Sequence, residues 1–249
     1  MSLLQKVVPR DLYYRLSSLS SVISNHSSAI PQQLHFVWTT PDGSSPIPAE
    51  HQRYYGKWNT DNDGWKAKIH QQDSIAKVVA NYQQYAYDCY SKNIQRCDAL
   101  RPMLLHELGG VYSDLDVEPR RPLDRLFSMY PHANVLLVEE TELSRDQARQ
   151  IGLDEPIRNG VPEIPLRVAS YFMASVPGHP FWLEIMGLMK QRCHLPVRNE
   201  YDVIYTTGPD VVTEVAHRAV QCYSDVVIVP RRVIKGFITH HCASSWRQS

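Results

Sequence analysis

The chain has no excess of either charge: 26 lysines and arginines face 26 aspartates and glutamates, for a formal net charge of zero at pH 7. Without a global basic field to gather phosphodiester backbones, nucleic-acid binding is disfavoured. Long apolar runs are also missing, since no stretch approaches the roughly 18 to 20 residues of a membrane helix. The N-terminus lacks the basic-then-apolar pattern of a secretory signal. These absences point to a cytoplasmic or otherwise soluble protein with no transmembrane segment. Cysteine is sparse: residues 89, 97, 193, 222 and 242 are odd in number, scattered and without a Cys-x-x-Cys pair. Neither a disulfide framework nor a zinc knuckle is indicated, and buried free thiols are the expectation. No internal repeat or low-complexity tract interrupts the 249 residues, of which 43% are hydrophobic, enough to bury one sizeable core.

Strand-like and helix-like segments alternate along the chain. Strands are expected at 33–38, 66–70, 134–139, 170–175, 226–229 and 236–240. Helices are expected at 74–87, 97–108, 179–191 and 209–223, the last with Pro209 in its first turn after Gly208. Thr39 to Pro48 reads as loop, as does the polar stretch 145–165. Residues 1–29, with a short helix near 10–19 and a Ser-rich tract, read as a variable leader; residues 30–249 read as a single domain. Strands alternating with helices imply a mostly parallel α/β sheet flanked by helices.

The richest stretch runs from Ile94 to Asp116. Asp98 and Arg101 are three residues apart, hence on one helical face, where they meet each other or a common ligand. Leu104, Leu105 and Leu108 form an apolar stripe, Gly109-Gly110 stops the helix, and Val111 to Val117 alternates as a strand does. Within a strand, Asp114 and Asp116 project to the same side. Paired carboxylates repel one another unless a cation neutralises them, and a divalent cation held by two protein oxygens keeps positions free for phosphate oxygens.

This stretch, Ile94-Gln95-Arg96-Cys97-Asp98-Ala99-Leu100-Arg101 followed by Gly109-Gly110-Val111-Tyr112-Ser113-Asp114-Leu115-Asp116, resembles the core signature of glycosyltransferase family 32. Gln33 to Trp38, Met173 to Trp182 and His240 to Trp246 resemble three further elements of that family, in the same order. The resemblance implies a GT-A type, Rossmann-like fold and a metal-dependent, retaining transfer of a hexose. The implied cofactors are Mn²⁺ or Mg²⁺ and a nucleoside-diphosphate sugar donor, GDP-mannose ahead of a UDP-hexose. It implies that Asp114, Asp116 and His241 hold the metal, with His240 the alternative because strand alternation lets only one of the two point inward. Asp98 would hold donor sugar hydroxyls and Arg101 would place positive charge near the phosphates, with Tyr112 beside them. Trp38 would stack on the base, and Ser244, Ser245 and Trp246 would close over the diphosphate. The resemblance would also put Thr207 and Asp210 toward the acceptor side, the acceptor being an unspecified glycan, lipid or protein. Ser170 stands where many relatives carry Asn. Many eukaryotic relatives are membrane-anchored Golgi enzymes, so a Golgi-lumenal location is expected only if an anchor has been removed. Two other readings use the same residues: a non-catalytic nucleotide-sugar binding module, and an Asp-x-Asp phosphatase, whose pair usually lies near the N-terminus.

Overall fold

The structure, a computed structural model, describes residues 30–40, 45–82, 85, 87–153, 157–158, 161–162 and 165–242. The leader at 1–29 and Ser244, Ser245 and Trp246 lie outside the described residues. Strand β1 (Gln33–Val37) is followed by helix α1 (Ala49–Asp61), strand β2 (Lys66–His70) and helix α2 (Gln72–Ala80). A 3₁₀ turn at Tyr87–Cys89 leads into the long helix α3 (Asn93–Leu108), then strands β3 (Gly110–Ser113) and β4 (Val117–Pro119), helix α4 (Leu123–Ser128) and strand β5 (Val135–Glu142). Helix α5 (Arg145–Gln150) and the two-residue strands β6 (Ile157–Arg158) and β7 (Val161–Pro162) precede β8 (Leu166–Val168) and β9 (Phe172–Ser175). Helices α6 (Phe181–Arg192), α7 (Glu200–Thr206) and α8 (Pro209–Cys222), strand β10 (Val226–Val229), helix α9 (Arg231–Ile234) and strand β11 (Ile238–His240) complete the order.

The main sheet has the order β10-β5-β9-β3-β1-β2, with β8 attached to β5. Strands β2, β1, β3, β5 and β10 share one direction and β9 opposes them, so the sheet is mostly parallel, as the alternation of elements predicts. Pleating divides the core. Tyr112, Met173, Val135 and Leu137 pack with Leu100, Leu104, Trp182, Met186 and Val215 of α3, α6 and α8 on one face. Leu34, Phe36, Val111, Leu136 and Phe172 pack with Trp58, Leu123 and Ile234 of α1, α4 and α9 on the other. Among the described residues, no helix is long and apolar enough to cross a membrane.

Four differences from the expected elements have physical causes. The strand expected to run through Val117 ends at Ser113, because Val117 N–H bonds back to Asp114 O at 3.2 Å and folds residues 114–116 into a turn. Strand β4 then leaves the main sheet and pairs with β11. Helix α1, unassigned from sequence, follows Pro48 and buries only His51, Tyr54 and Trp58, a stripe narrow enough to hide among polar residues. Helix α3 starts four residues earlier than expected, at Asn93, where Lys92 N–H is taken by the Gln95 side chain at 3.2 Å. The expected loop at 145–165 contains the Ser144-capped helix α5.

Gly109 and Gly110 do more than stop a helix. Both have positive φ, at 64° and 84°. A Cβ on Gly110 would lie 2.6 Å from Gln33 O, against the backbone of the neighbouring strand, and one on Gly109 would lie 2.7 Å from the Pro177 ring. Only glycine turns α3 directly into the sheet here. His35 Nε2 lies 3.0 Å from Gly109 O, so that nitrogen carries the proton; its bare Nδ1 then accepts from His70 Nε2 at 3.0 Å. His70 Nδ1 is left buried without a protein partner. Both rings are therefore held neutral, burial pushing His35 down to about 4 and His70 down to about 3.

Two outcomes follow for stability. Gly110→Ala should destabilise the chain by about 1–3 kcal/mol or more in urea unfolding, through backbone strain at a positive-φ position and collision with β1. Because the unfolded histidines take up protons near pH 6.5 and the folded ones resist until far lower, stability contributed by His35 and His70 is present above pH 6.5 and is lost as the pH falls from there through about 4 for His35 and about 3 for His70. Urea midpoints should decline over that window, and a flat profile would contradict the buried neutral pair.

Candidate active site

The site is built outward from α3 and β3. Tyr112 and Asp114 are two residues apart and face α3, so the Tyr112 hydroxyl donates to Asp114 Oδ1 at 2.6 Å. Arg101 reaches across from α3 and spends its whole guanidinium inside the protein. Its Nε donates to Tyr112 Oη at 3.1 Å, Nη1 meets Ser170 Oγ at 2.9 Å and Asp98 Oδ1 at 2.9 Å, and Nη2 meets Asp114 Oδ1 at 3.0 Å. Asp98 and Arg101 thus contact each other, and the second Asp98 oxygen accepts from Thr207 Oγ1 at 2.9 Å. Asp98, Arg101, Tyr112, Ser170 and Thr207 are all buried. The fork of Arg101 suits this role because it stays charged and presents several donors at fixed angles, which a lysine does not.

Burial raises the carboxyls that this cation must hold. Desolvation pushes Asp98 up to about 6 against the opposing pull of Arg101 and Thr207, and it raises Asp114 in the same way, with Arg101 again opposing and Asp116 adding to the rise. Tyr112 is raised well above its ordinary value, first by burial. Arg101 itself is held firmly charged: desolvation opposes this, and Asp114, Tyr112 and Asp98 overcome it.

Toward solvent, Asp114 and Asp116 meet a histidine, though not the expected one. Ligand atoms of Asp114, Asp116 and His240 all lie within 4.8 Å of one another. His240 Nε2 is 3.5 Å from Asp116 Oδ2, and its ring packs on Tyr171 with centroids 3.9 Å apart. His241 points the other way, stacked on Tyr54 at 4.7 Å with Nε2 3.1 Å from Glu118 Oε2. The cause is register: β11 pairs with β4 so that His240 lies opposite Val117, next to the Asp114–Asp116 turn, and alternation sends His241 away. Burial alone would lower His240, but Asp116, Asp114 and Glu140 raise it above its ordinary value. The three side chains remain 24%, 14% and 20% exposed, so the cluster opens outward while the Arg101 network behind it is sealed.

Trp38 follows the end of β1, half-buried, with Nε1 donating to Ser45 O at 3.0 Å and its ring edge-on to His51. Asp210 is fully buried at the start of α8 and is paired with Arg167 at 2.9 Å. Sequence reasoning passed over Glu140, near the end of β5, whose carboxyl is raised chiefly by burial and which couples electrostatically to Arg167, His240, Asp210 and Asp114. The signal was available: Glu139-Glu140 closes an apolar strand, as the aspartates do after β3.

The sequence profile of the glycosyltransferase sugar-binding region containing the DXD motif matches residues 48–136. The chain is 27% identical over 197 residues to inositol phosphoceramide mannosyltransferase 3 of Schizosaccharomyces pombe, covering 76% of this chain and 45% of that protein. It is 23% identical over 184 residues to the initiation-specific alpha-1,6-mannosyltransferase of Saccharomyces cerevisiae, covering 63% of this chain and 38% of that protein. The chain therefore spans less than half the length of these relatives. Among solved structures, the PaToxG glycosyltransferase superimposes with a TM-score of 0.52 at 15% identity, over 84% of this chain and 80% of that one, a likeness of fold.

Tyr112→Phe should leave Asp114 Oδ1 and Arg101 Nε each short of a partner in a buried setting, lowering stability by about 1–3 kcal/mol in urea unfolding. An unchanged midpoint would show that Tyr112 only fills space.

Proposed function

We propose that this chain, which carries the DXD-containing sugar-binding region of glycosyltransferases, is a metal-dependent, retaining hexosyltransferase. It moves a hexose from a nucleoside-diphosphate sugar to a hydroxyl of a glycan, lipid or protein acceptor, with residues 30–249 acting as one catalytic unit. The observation that supports this most is the half-open cluster of Asp114, Asp116 and His240 beyond the C-terminal end of β3, a central strand, backed by the sealed Arg101 network. Ligands in open α/β sheets collect at this end of the strands.

The donor set fits the implied ion. Two carboxylates and one imidazole suit Mn²⁺ better than the oxygen-seeking Mg²⁺, and partial exposure leaves coordination positions for diphosphate oxygens. When bound, such an ion neutralises charge that the departing diphosphate gains as the bond to the anomeric carbon breaks. The protein's own contribution is positional and electrostatic. Arg101 fixes Asp114 through two contacts, one direct and one through Tyr112, so the metal-facing carboxylate is aimed before substrate arrives. Since every guanidinium nitrogen of Arg101 already meets a protein partner, it acts as a positioning residue whose charge reaches the phosphates through the field rather than by contact. Asp98 offers the donor sugar only the lone pairs that Arg101 and Thr207 leave unused. Trp38 is placed in this reading to stack on the base, a contact that tolerates any base. GDP-mannose is preferred as donor because the curated relatives are named mannosyltransferases.

Incubation with Mn²⁺ and a panel of GDP- and UDP-hexoses, with release of free nucleoside diphosphate as the readout, tests the reading. Release should require the cation, and Asp116→Asn should reduce it by about 10²–10³-fold, the scale of one lost electrostatic contact in a transition state, while the circular dichroism stays unchanged. Full release by that variant overturns the assignment. Tight donor binding without turnover, acceptors included, would make the chain a binding module.

A further inference from the structure

A second cluster of metal-ligating side chains lies away from the Asp114–Asp116 turn and rests on observations independent of the function proposed above. Cys89 ends the 3₁₀ turn ahead of α3, Cys193 caps the end of α6, and His194 follows it. Ligand atoms of the three lie within 4.8 Å of one another although 104 residues separate the two cysteines. Cys89 Sγ is 3.4 Å from His194 Nδ1 and 3.6 Å from the Cys193 carbonyl oxygen. Tetrahedral zinc with bond lengths of about 2.3 Å to sulfur and about 2.05 Å to nitrogen requires a sulfur–nitrogen edge of about 3.5 Å, so the Cys89–His194 separation is already close to that of a liganded pair. Cys193 is buried, Cys89 half-buried and His194 exposed, so the cluster is anchored inside and open outside.

We propose that Cys89, Cys193 and His194 form a second metal site, selective for a thiophilic cation such as Zn²⁺, with three protein ligands and one position facing solvent. Softness separates it from the first site: two thiolates and an imidazole favour zinc, where two carboxylates and an imidazole favour a harder ion such as Mn²⁺. Its role is a staple. The ion ties the turn that launches α3, the helix of Asp98 and Arg101, to the end of α6. The end of α6 is itself tied to α7 and α8 by Arg192, which donates to Tyr205 O at 2.9 Å and is paired with Glu214, so the ion would join the turn before α3 to an already anchored helix end. Each thiol gives up its proton on ligation, and because the site exists only in the folded chain, binding adds to folding stability.

The full chain, reduced and stripped with a chelator, is titrated with Co²⁺. A thiolate-to-cobalt charge-transfer absorption should saturate at one equivalent and vanish on adding Zn²⁺, and Zn²⁺ should raise the melting temperature. Cys89→Ser, Cys193→Ser and His194→Ala should each lose or shift the absorption, while Cys242→Ser and Asp116→Asn keep it. The exposed His194 can be replaced without disturbing the core, so its variant tests the site even if a cysteine variant folds poorly. Absence of the absorption in the reduced wild type overturns the proposal, as does its survival in a folded Cys89→Ser chain. A wild type whose Cys89 and Cys193 are joined as a disulfide, and which takes up no Co²⁺ once reduced, overturns it as well.

Discussion

One buried cation organises this molecule. Arg101 lies between a helix and a strand, 2.9 Å from Asp98 and 3.0 Å from Asp114, with Tyr112 accepting from its Nε and Ser170 from its Nη1. A charge in such a place is tolerable only when fully paired, and removing one member of a buried ion pair costs about 3–5 kcal/mol. The fold therefore cannot relax the arrangement cheaply. Burial raises the carboxyl of Asp114 and Arg101 opposes that rise, while the hydrogen bond from Tyr112 and the ion pair with Arg101 hold the side chain in orientation.

The sheet determines where that orientation is presented. Gly109 and Gly110 bring β3 against β1 immediately after α3, so the helix bearing Asp98 and Arg101 and the strand bearing Tyr112 are locked together by a turn only glycine can make. Past Ser113 the chain leaves the sheet, and the pairing of β4 with β11 carries a segment more than a hundred residues downstream back to the aspartates. His240 reaches Asp116 for that reason alone. The site thus has an inner part fixed by neighbours in sequence and an outer part fixed by a long-range strand pair.

That division explains what could be read from the sequence. The Asp98–Arg101 pair, the Gly-Gly turn and Tyr112 sit within one local segment, where helical spacing and strand alternation report directly on contact; the two aspartates lie in that segment too, but a turn and not strand alternation brings them together. The choice between His240 and His241 is not legible in the sequence, because which of two adjacent histidines faces inward depends on the register of β11 against β4, and no local pattern encodes it. The break at Ser113 was missed for a related reason: Val111, Leu115 and Val117 alternate as a continuous strand would, yet Leu115 and Val117 enter the second core through a turn and a separate sheet. The Cys89–Cys193–His194 cluster depends on tertiary proximity and carries no spacing signature, whereas Glu140 is marked in the sequence only by its place after the apolar run of β5. Helix α1 was lost because three buried residues among thirteen give too faint a periodicity.

The central claim is that the Arg101 network aims Asp114 and, with Asp116 and His240, makes a seat for a cation that carries a diphosphate. A crystal grown with Mn²⁺ and GDP, measured for manganese anomalous scattering, tests it most directly. The account predicts a single strong peak among Asp114, Asp116 and His240, next to diphosphate density, with Arg101 still paired to Asp98 and Asp114. A nucleotide bound with its manganese elsewhere, or an Arg101 that has left both carboxylates, would contradict it.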